Sequence, residues 1–240
     1  MDAIDRIIWS ADVKNEADLM VALDLMPGLR KIKIDRLFLT GIDFGVIDRL
    51  NKRGLDVFDD AKIFEIPTKV EAIAKKHLAH KPWMLNCMSG CVSSLVLTNE
   101  DRDKIDGLKR FADACHEVGT KSCGVTVLTS KTPQVVHQEY NGRTSEDQVL
   151  EYVAMLLECG FTDVVCSPKE VPIIRAESRF DVLELNTPGI RPAGTDAGDQ
   201  ARADTPQAAL AAKADRLIIG RPITNGDPAE NLANIVASIS

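Results

Sequence analysis

Short β-branched, apolar runs alternate along the chain with longer stretches whose apolar positions recur every three or four residues. The run Arg6-Ile7-Ile8-Trp9-Ser10-Ala11-Asp12 predicts a first strand, and residues 15–26 a helix that Pro27-Gly28 stops. Lys31-Ile32-Lys33-Ile34 predicts a second strand, and residues 45–53 a helix ending at Gly54. Residues 55–60 predict a third strand. Pro67 then opens a helix to about His80, because a first helical turn has no use for the amide hydrogen that proline lacks. Further strands are predicted over 82–87, 124–129, 163–166, 181–185 and 216–219, and further helices over 101–118, 147–159, 168–178 and 228–239. Residues 187–204, rich in Gly, Pro, Asp and Thr, read as a long loop. Thr205 is placed to cap the helix that follows, its hydroxyl accepting from a free first-turn amide.

Eight strand–helix units with no break in composition predict an α/β fold of one domain over 1–240, a closed (β/α)8 TIM barrel. Several of the strand runs are continuously apolar, as strands covered on both faces must be. The alternative is an open doubly wound sheet. No Gly-x-Gly-x-x-Gly follows the first strand, which counts against a dinucleotide-binding version of it.

Composition narrows the class. The chain has 240 residues, 45% hydrophobic, which is enough for a core and excludes a disordered chain. With 29 Lys+Arg against 36 Asp+Glu, the net charge of −7 argues against nucleic acid as the main partner. No run of about 18 apolar residues marks a membrane span. The start, Met1-Asp2-Ala3-Ile4-Asp5-Arg6, lacks the basic and apolar pattern of a secretory signal. The six cysteines therefore read as reduced, packed thiols of a cytoplasmic protein. Cys87 with Cys91, and His77 with His80, have spacings from which a metal site could be imagined. No second pair at zinc-finger spacing accompanies them, so no metal site is predicted.

In such a barrel the chemistry belongs at the C-terminal strand ends. There the sequence delivers Asp12; Lys33 with Asp35 just beyond; Asp60, Lys62 and Glu65; Asn86, Cys87, Met88 and Ser89; and Thr129 with Ser130. Two lysines and three carboxylates (Asp12, Asp60 and Glu65) converge on one mouth. Alternating the signs removes the cost of burying any one of them alone and keeps the lysines charged. A surface-exposed Asp-Lys-Glu cluster is the plainer alternative. The loop Thr187-Pro188-Gly189-Ile190-Arg191-Pro192-Ala193-Gly194, the following Gly198-Asp199-Gln200, and Gly220-Arg221 lie after strands seven and eight, where barrels commonly hold a phosphate.

These residues resemble a known family. Asp60-Ala61-Lys62-Ile63-Phe64-Glu65-Ile66-Pro67 is similar to the Asp-x-Lys-x-x-Asp-Ile-Pro signature of orotidine 5′-phosphate decarboxylases. The segment Thr187 to Gln200 resembles that family's Thr-Pro-Gly-Ile-Arg-Pro…Gly-Asp-Gln loop, and Ile219-Gly220-Arg221-Pro222-Ile223-Thr224 resembles its bacterial members. The likeness runs from about Ile8 to Ile239. It implies cofactor-free decarboxylation of orotidine 5′-phosphate to uridine 5′-phosphate, a step of pyrimidine biosynthesis. It also implies a homodimer whose site borrows Glu65 from the other subunit. Asp12 and Lys33 would hold the ribose and the charge array, Asp60 would face the substrate carboxylate, and Lys62 would protonate the ring carbon. Thr129 would lie by the base, and Arg191, Gln200, Gly220 and Arg221 would bind phosphate.

Three positions depart from the pattern. Glu65 stands for Asp, Lys69 for a Thr that helps hold the ribose from across the dimer, and Met88 for the His of a strand-four Asn-x-His segment. Lys69 would suit a modified nucleotide with an additional anionic or carbonyl group; alternatively it points to solvent. Two other readings stay open. One is a related barrel enzyme acting on a sugar phosphate through a carboxylate-held magnesium ion. The other is a nucleotide-binding homologue without turnover.

Overall fold

The computed structural model describes residues 1–35, 43–91, 106–192 and 203–240. Each apolar run becomes a short parallel strand: β1 Ile7–Ser10, β2 Lys31–Ile34, β3 Asp56–Ile63, β4 Met84–Met88, β5 Lys121–Val125, β6 Asp163–Val165, β7 Glu184–Thr187 and β8 Arg216–Ile219. They pair in chain order, and β1 closes the ring on β8 with Ile8 opposite Ile218. The closed barrel confirms the predicted fold class and excludes the open sheet.

Helices cover the outside of the barrel: α1 Glu16–Asp24, α2 Gly45–Lys52, α3 Pro67–Leu78, α4 Asp106–Glu117, α5 Pro133–Glu139, α6 Ser145–Glu158, α7 Val171–Arg175, α8 Pro206–Ala211, α9 Arg221–Thr224 and α10 Pro228–Ser238. Their starts follow local chemistry. Thr205 accepts from the Ala208 amide at 3.2 Å, as its sequence position predicts, and Pro206 follows inside the first turn of α8. Asn15 caps α1 in the same way. Among the described residues no helix is long and apolar enough to cross a membrane.

Strand alternation sorts the side chains into two cores. The larger lies between barrel and helices and includes Ile7, Trp9, Val57, Leu85 and Cys87. The smaller fills the barrel and consists of Ile8, Phe58, Met84, Cys123 and Ile218. Cys87 is thereby corrected: it faces the helices, fully buried, and is not delivered to the mouth beside Asn86. Gly124 marks a close approach of β5 to α6, since a β-carbon there would fall 2.3 Å from the Leu156 methyl groups.

Several boundaries differ from expectation. Strand β5 starts at Lys121 and ends at Val125, ahead of the predicted 124–129, and β7 covers Glu184–Thr187 where 181–185 was predicted. Strand β3 runs on to Ile63 through an irregularity in its pairing with β4. Helix α7 is one turn shorter at each end than predicted, because the chain after it folds over Arg175, whose guanidinium donates to the Phe180 and Leu183 carbonyls. Helices α5 and α9 were read as loop and strand end; each opens with Pro in its first turn but is too short to carry a periodic pattern. The expected helix 101–118 is seen from Asp106; its first residues lie outside the described ones.

Candidate active site

A cavity of about 270 Å³ opens at the C-terminal end of the barrel, above the Phe58 and Ile218 layer. Lys33 comes to it from β2, Asp60 and Lys62 from β3, and Asn86 from β4. Residues two apart on a strand share a face, which is why Asp60 and Lys62 both reach the interior while Asp59 and Ala61 do not.

Asp60 is the centre of the cluster. Its Oδ2 accepts from Lys33 Nζ at 2.5 Å and lies 2.7 Å from Lys62 Nζ, and its Oδ1 accepts from Asn86 Nδ2 at 2.6 Å. Burial alone would push this carboxyl up. The two ammonium groups outweigh that and bring its pKa down to about 2. Burial likewise opposes the charge of Lys33, but Asp60, Asp12 and Asp35 outweigh it and raise the lysine above its ordinary value. Asp60 and Lys33 are therefore both ionised over the whole neutral range, in a part of the molecule from which water is mostly excluded.

Asn86 also fixes the backbone. Its Oδ1 accepts from the Lys62 amide at 2.7 Å, and Lys62 has a φ of +43°, in the left-handed region that side chains other than glycine rarely adopt. The amide bond to Asn86 and the paired ammonium hold the residue in that conformation. Sequence reasoning placed Asn86 at the mouth without giving it a part; the available signal was an uncharged polar side chain inside an apolar buried strand.

Asp12 follows β1, accepts from Ser10 Oγ at 3.2 Å, and lines the same cavity. Gly220 faces it, and a β-carbon there would come within 3.0 Å of Asp12 Oδ2. Thr129, Arg191 and Arg221 complete the wall. Arg191 lies in the loop after β7, the strand four places from β3 in the ring of eight, and lines the same cavity as Asp60 and Lys62. Gln200 lies outside the described residues. Of the predicted site residues described, Glu65 and Lys69 do not line this cavity. Glu65 Oε1 lies 3.6 Å from Lys69 Nζ, and its Oε2 accepts from the Ile66 amide. The side chain of Lys69 is 61% exposed.

The two histidines considered for metal binding meet carboxylates instead. His77 Nδ1 lies 2.7 Å from Asp59 Oδ2 behind β3, and His80 Nδ1 lies 2.8 Å from Asp48 Oδ2. Among the described residues no group of three His, Cys, Asp or Glu side chains is arranged to hold a metal.

Known proteins resemble this chain over nearly its whole length. The profile of the orotidine 5′-phosphate decarboxylase / HUMPS family matches residues 5–235. The orotidine 5′-phosphate decarboxylase of Haemophilus influenzae strain Rd is 36% identical over 236 residues, 98% of either chain. That of Pseudomonas putida is 35% identical over 226 residues, 93% of this chain and 92% of the relative. The crystal structure of orotidine 5′-phosphate decarboxylase from Lactobacillus acidophilus superposes with a TM-score of 0.79 at 26% identity, covering 98% of both chains. An uncharacterized conserved protein from Geobacillus kaustophilus, at 21% identity and a TM-score of 0.78, shares the fold.

Proposed function

Because the chain belongs to the orotidine 5′-phosphate decarboxylase / HUMPS family, we propose that it converts orotidine 5′-phosphate to uridine 5′-phosphate and carbon dioxide without a cofactor. The observation that carries this reading is the Lys33–Asp60–Lys62 cluster, centred on a buried Asp60, lining a cavity that Arg191 also lines.

The bond between the pyrimidine ring carbon and its carboxylate breaks, and the electron pair stays on the ring carbon. The Lys62 ammonium stabilises that developing charge and then gives up a proton to the carbon; the neutral amine is reprotonated from solvent. An ammonium already in place costs no reorganisation at the moment of reaction. Asp60, held ionised, faces the substrate carboxylate and favours its departure as neutral carbon dioxide. Asp12 and Lys33 hold the ribose, and Thr129 lies by the base. Arg191, Gln200, Gly220 and Arg221 take the phosphate, whose binding energy is spent on ordering the site. Gly220 suits this because it leaves the strand end open to close approach.

Glu65 acts on the site of a second copy, in a homodimer. Support comes from its absence from its own cavity wall and from its neighbours, Phe64 at 66% exposed and Ile66 at 56%. Lys69, paired with Glu65, travels with it to that neighbouring site and meets the substrate there.

The test is incubation of the full chain with orotidine 5′-phosphate, following loss of its ultraviolet absorbance with and without a chelator. Chelator-insensitive conversion is expected. Lys62→Ala is expected to abolish turnover, by about 10³-fold or more, while uridine 5′-phosphate still binds. Retained turnover in that variant would falsify the proton-donor assignment. Activity lost to the chelator would point to the magnesium-dependent sugar-phosphate chemistry instead.

A further inference from the structure

The cluster around Lys62 contains a carboxylate that the reaction above does not use. Asp35 directly follows β2, two residues beyond Lys33, and its Oδ2 lies 3.7 Å from Lys62 Nζ. Among the described residues Lys62 has two carboxylate neighbours within its own chain, Asp60 at 2.7 Å and Asp35 at 3.7 Å. Glu65 of the same chain is not a third, being engaged with Lys69.

The two neighbours are not equivalent. Asp60 Oδ2 is shared with Lys33, which sits closer at 2.5 Å and is the more deeply buried lysine. Lys62 is 39% exposed and Asp35 35% exposed, both at the rim. The backbone of Lys62 is fixed by Asn86, but four rotatable side-chain bonds lie between that anchor and the ammonium. Lys62 also lines a second cavity, of about 460 Å³, on whose wall Asp35 stands. Lys62 therefore borders both spaces, with Asp60 lining the first and Asp35 the second.

We propose that Asp35 is a positioning residue for Lys62: its carboxylate holds the ammonium at the border of the two cavities, so that proton delivery depends on Asp35 as well as on Asp60. This rests on the reading of Lys62 as proton donor. A substrate carboxylate arriving beside Asp60 adds negative charge on that side only. Asp35 supplies, from within the same chain and beside the Glu65 that a second copy brings to the site, an opposing pull that keeps Lys62 from collapsing onto Asp60 and turning from the ring carbon. Its contact is longer than a hydrogen bond, so it biases the ammonium without locking it.

The test uses the purified full chain and the variants Asp35→Asn and Asp35→Glu. With orotidine 5′-phosphate, Asp35→Asn is expected to lower kcat about tenfold with KM changed less than about twofold, and Asp35→Glu to recover part of the loss. A change in KM alone, or an unchanged kcat, overturns the proposal. So does an equal loss in both variants matched by a fall in melting temperature. A second measurement does not need turnover: labelling of Lys62 by an amine-directed reagent, followed by peptide mass spectrometry. Asp35→Asn is expected to speed labelling several-fold and Asp35→Glu to leave it near the wild-type rate. Equal rates in all three chains overturn the ion pair and the proposal with it. A wild type that leaves orotidine 5′-phosphate intact overturns the proposed function, and the labelling ratio then still decides whether Asp35 holds Lys62.

Discussion

At Asp60 one carboxylate oxygen takes two ammonium groups and the other takes an amide, inside a residue that is 6% exposed. Such a group links the site to stability. Its folded pKa of about 2 lies below the ordinary 3.8, so its ionised form is favoured by the fold. The contribution is full above about pH 4 and disappears as pH falls through about 2; its size is on the order of 2 kcal/mol. Asp60→Asn is therefore expected to unfold at lower urea than the wild type at pH 6, and the gap is expected to close between pH 4 and pH 2. Taking the difference between the two chains cancels every other carboxylate. A gap that stays constant down to pH 2 would show that the two lysines do not stabilise this carboxylate.

The strand β3 and its helix show how much of an element is legible in its sequence. The run Leu55 to Asp60 identified a strand, and the barrel rule then aimed Asp60 and Lys62 at the mouth. Asp59 was not legible. On an outward-facing position of a covered strand a charge contradicts the apolar pattern, and only the fold reveals that His77, eighteen residues on, lies over it. The end of β3 was hidden for a related reason: Lys62 leaves the regular strand conformation, and a polar run with an irregular residue looks like loop. The start of β5 was missed because Lys121 begins it, and a charge at a strand start reads as turn; β7 was read three residues early, from Asp181, and its last residues Asn186 and Thr187 were left out. Residues 126–129, by contrast, have a strand's composition but lie beyond β5, where Val127, Leu128 and Thr129 line the cavity. For the Asp59–His77 pair, removal of one partner is expected to cost more than removal of both. His77→Leu strips a bond from a fully buried carboxylate, at about 2 kcal/mol. Adding Asp59→Leu is expected to restore part of it, as read by urea unfolding of the four chains of the cycle. Strict additivity would mean that the pair does not fasten α3 to β3.

Across the whole molecule the same electrostatic solution occurs twice, once at each end of the barrel. The mouth holds Lys33, Asp60 and Lys62; the floor holds a second set contributed by the first residues of β5, β6, β7 and β8. Arg216 Nη1 donates to Asp163 Oδ1 at 3.2 Å and its Nη2 pairs with Glu184, while Lys121 lies 3.1 Å from Asp163 and 2.7 Å from Glu184. Trp83 lies against this set, with the Arg216 guanidinium 5.1 Å from its ring centre. Between the two ends sits the apolar layer of Ile8, Phe58, Met84, Cys123 and Ile218. The upper set lines a cavity, while the lower one joins a buried Asp163 and Arg216 to the half-exposed Lys121 and Glu184, so the division of labour in this fold assigns chemistry to the first and stability to the second. Arg216 is 4% exposed and Asp163 is fully buried, and burial already raises the Asp163 carboxyl above its usual range against the pull of Lys121, Asn186 and Arg216. Arg216→Met removes a principal cation from a carboxylate that cannot reach water. The expected cost is about 3 kcal/mol, a fall of roughly 10 °C in Tm. Turnover measured well below the new midpoint is expected to stay within about twofold of the wild type, because the floor and the mouth are separated by the apolar layer. Loss of activity with an unchanged Tm would contradict that separation and would mean that charge at one end of the barrel governs chemistry at the other.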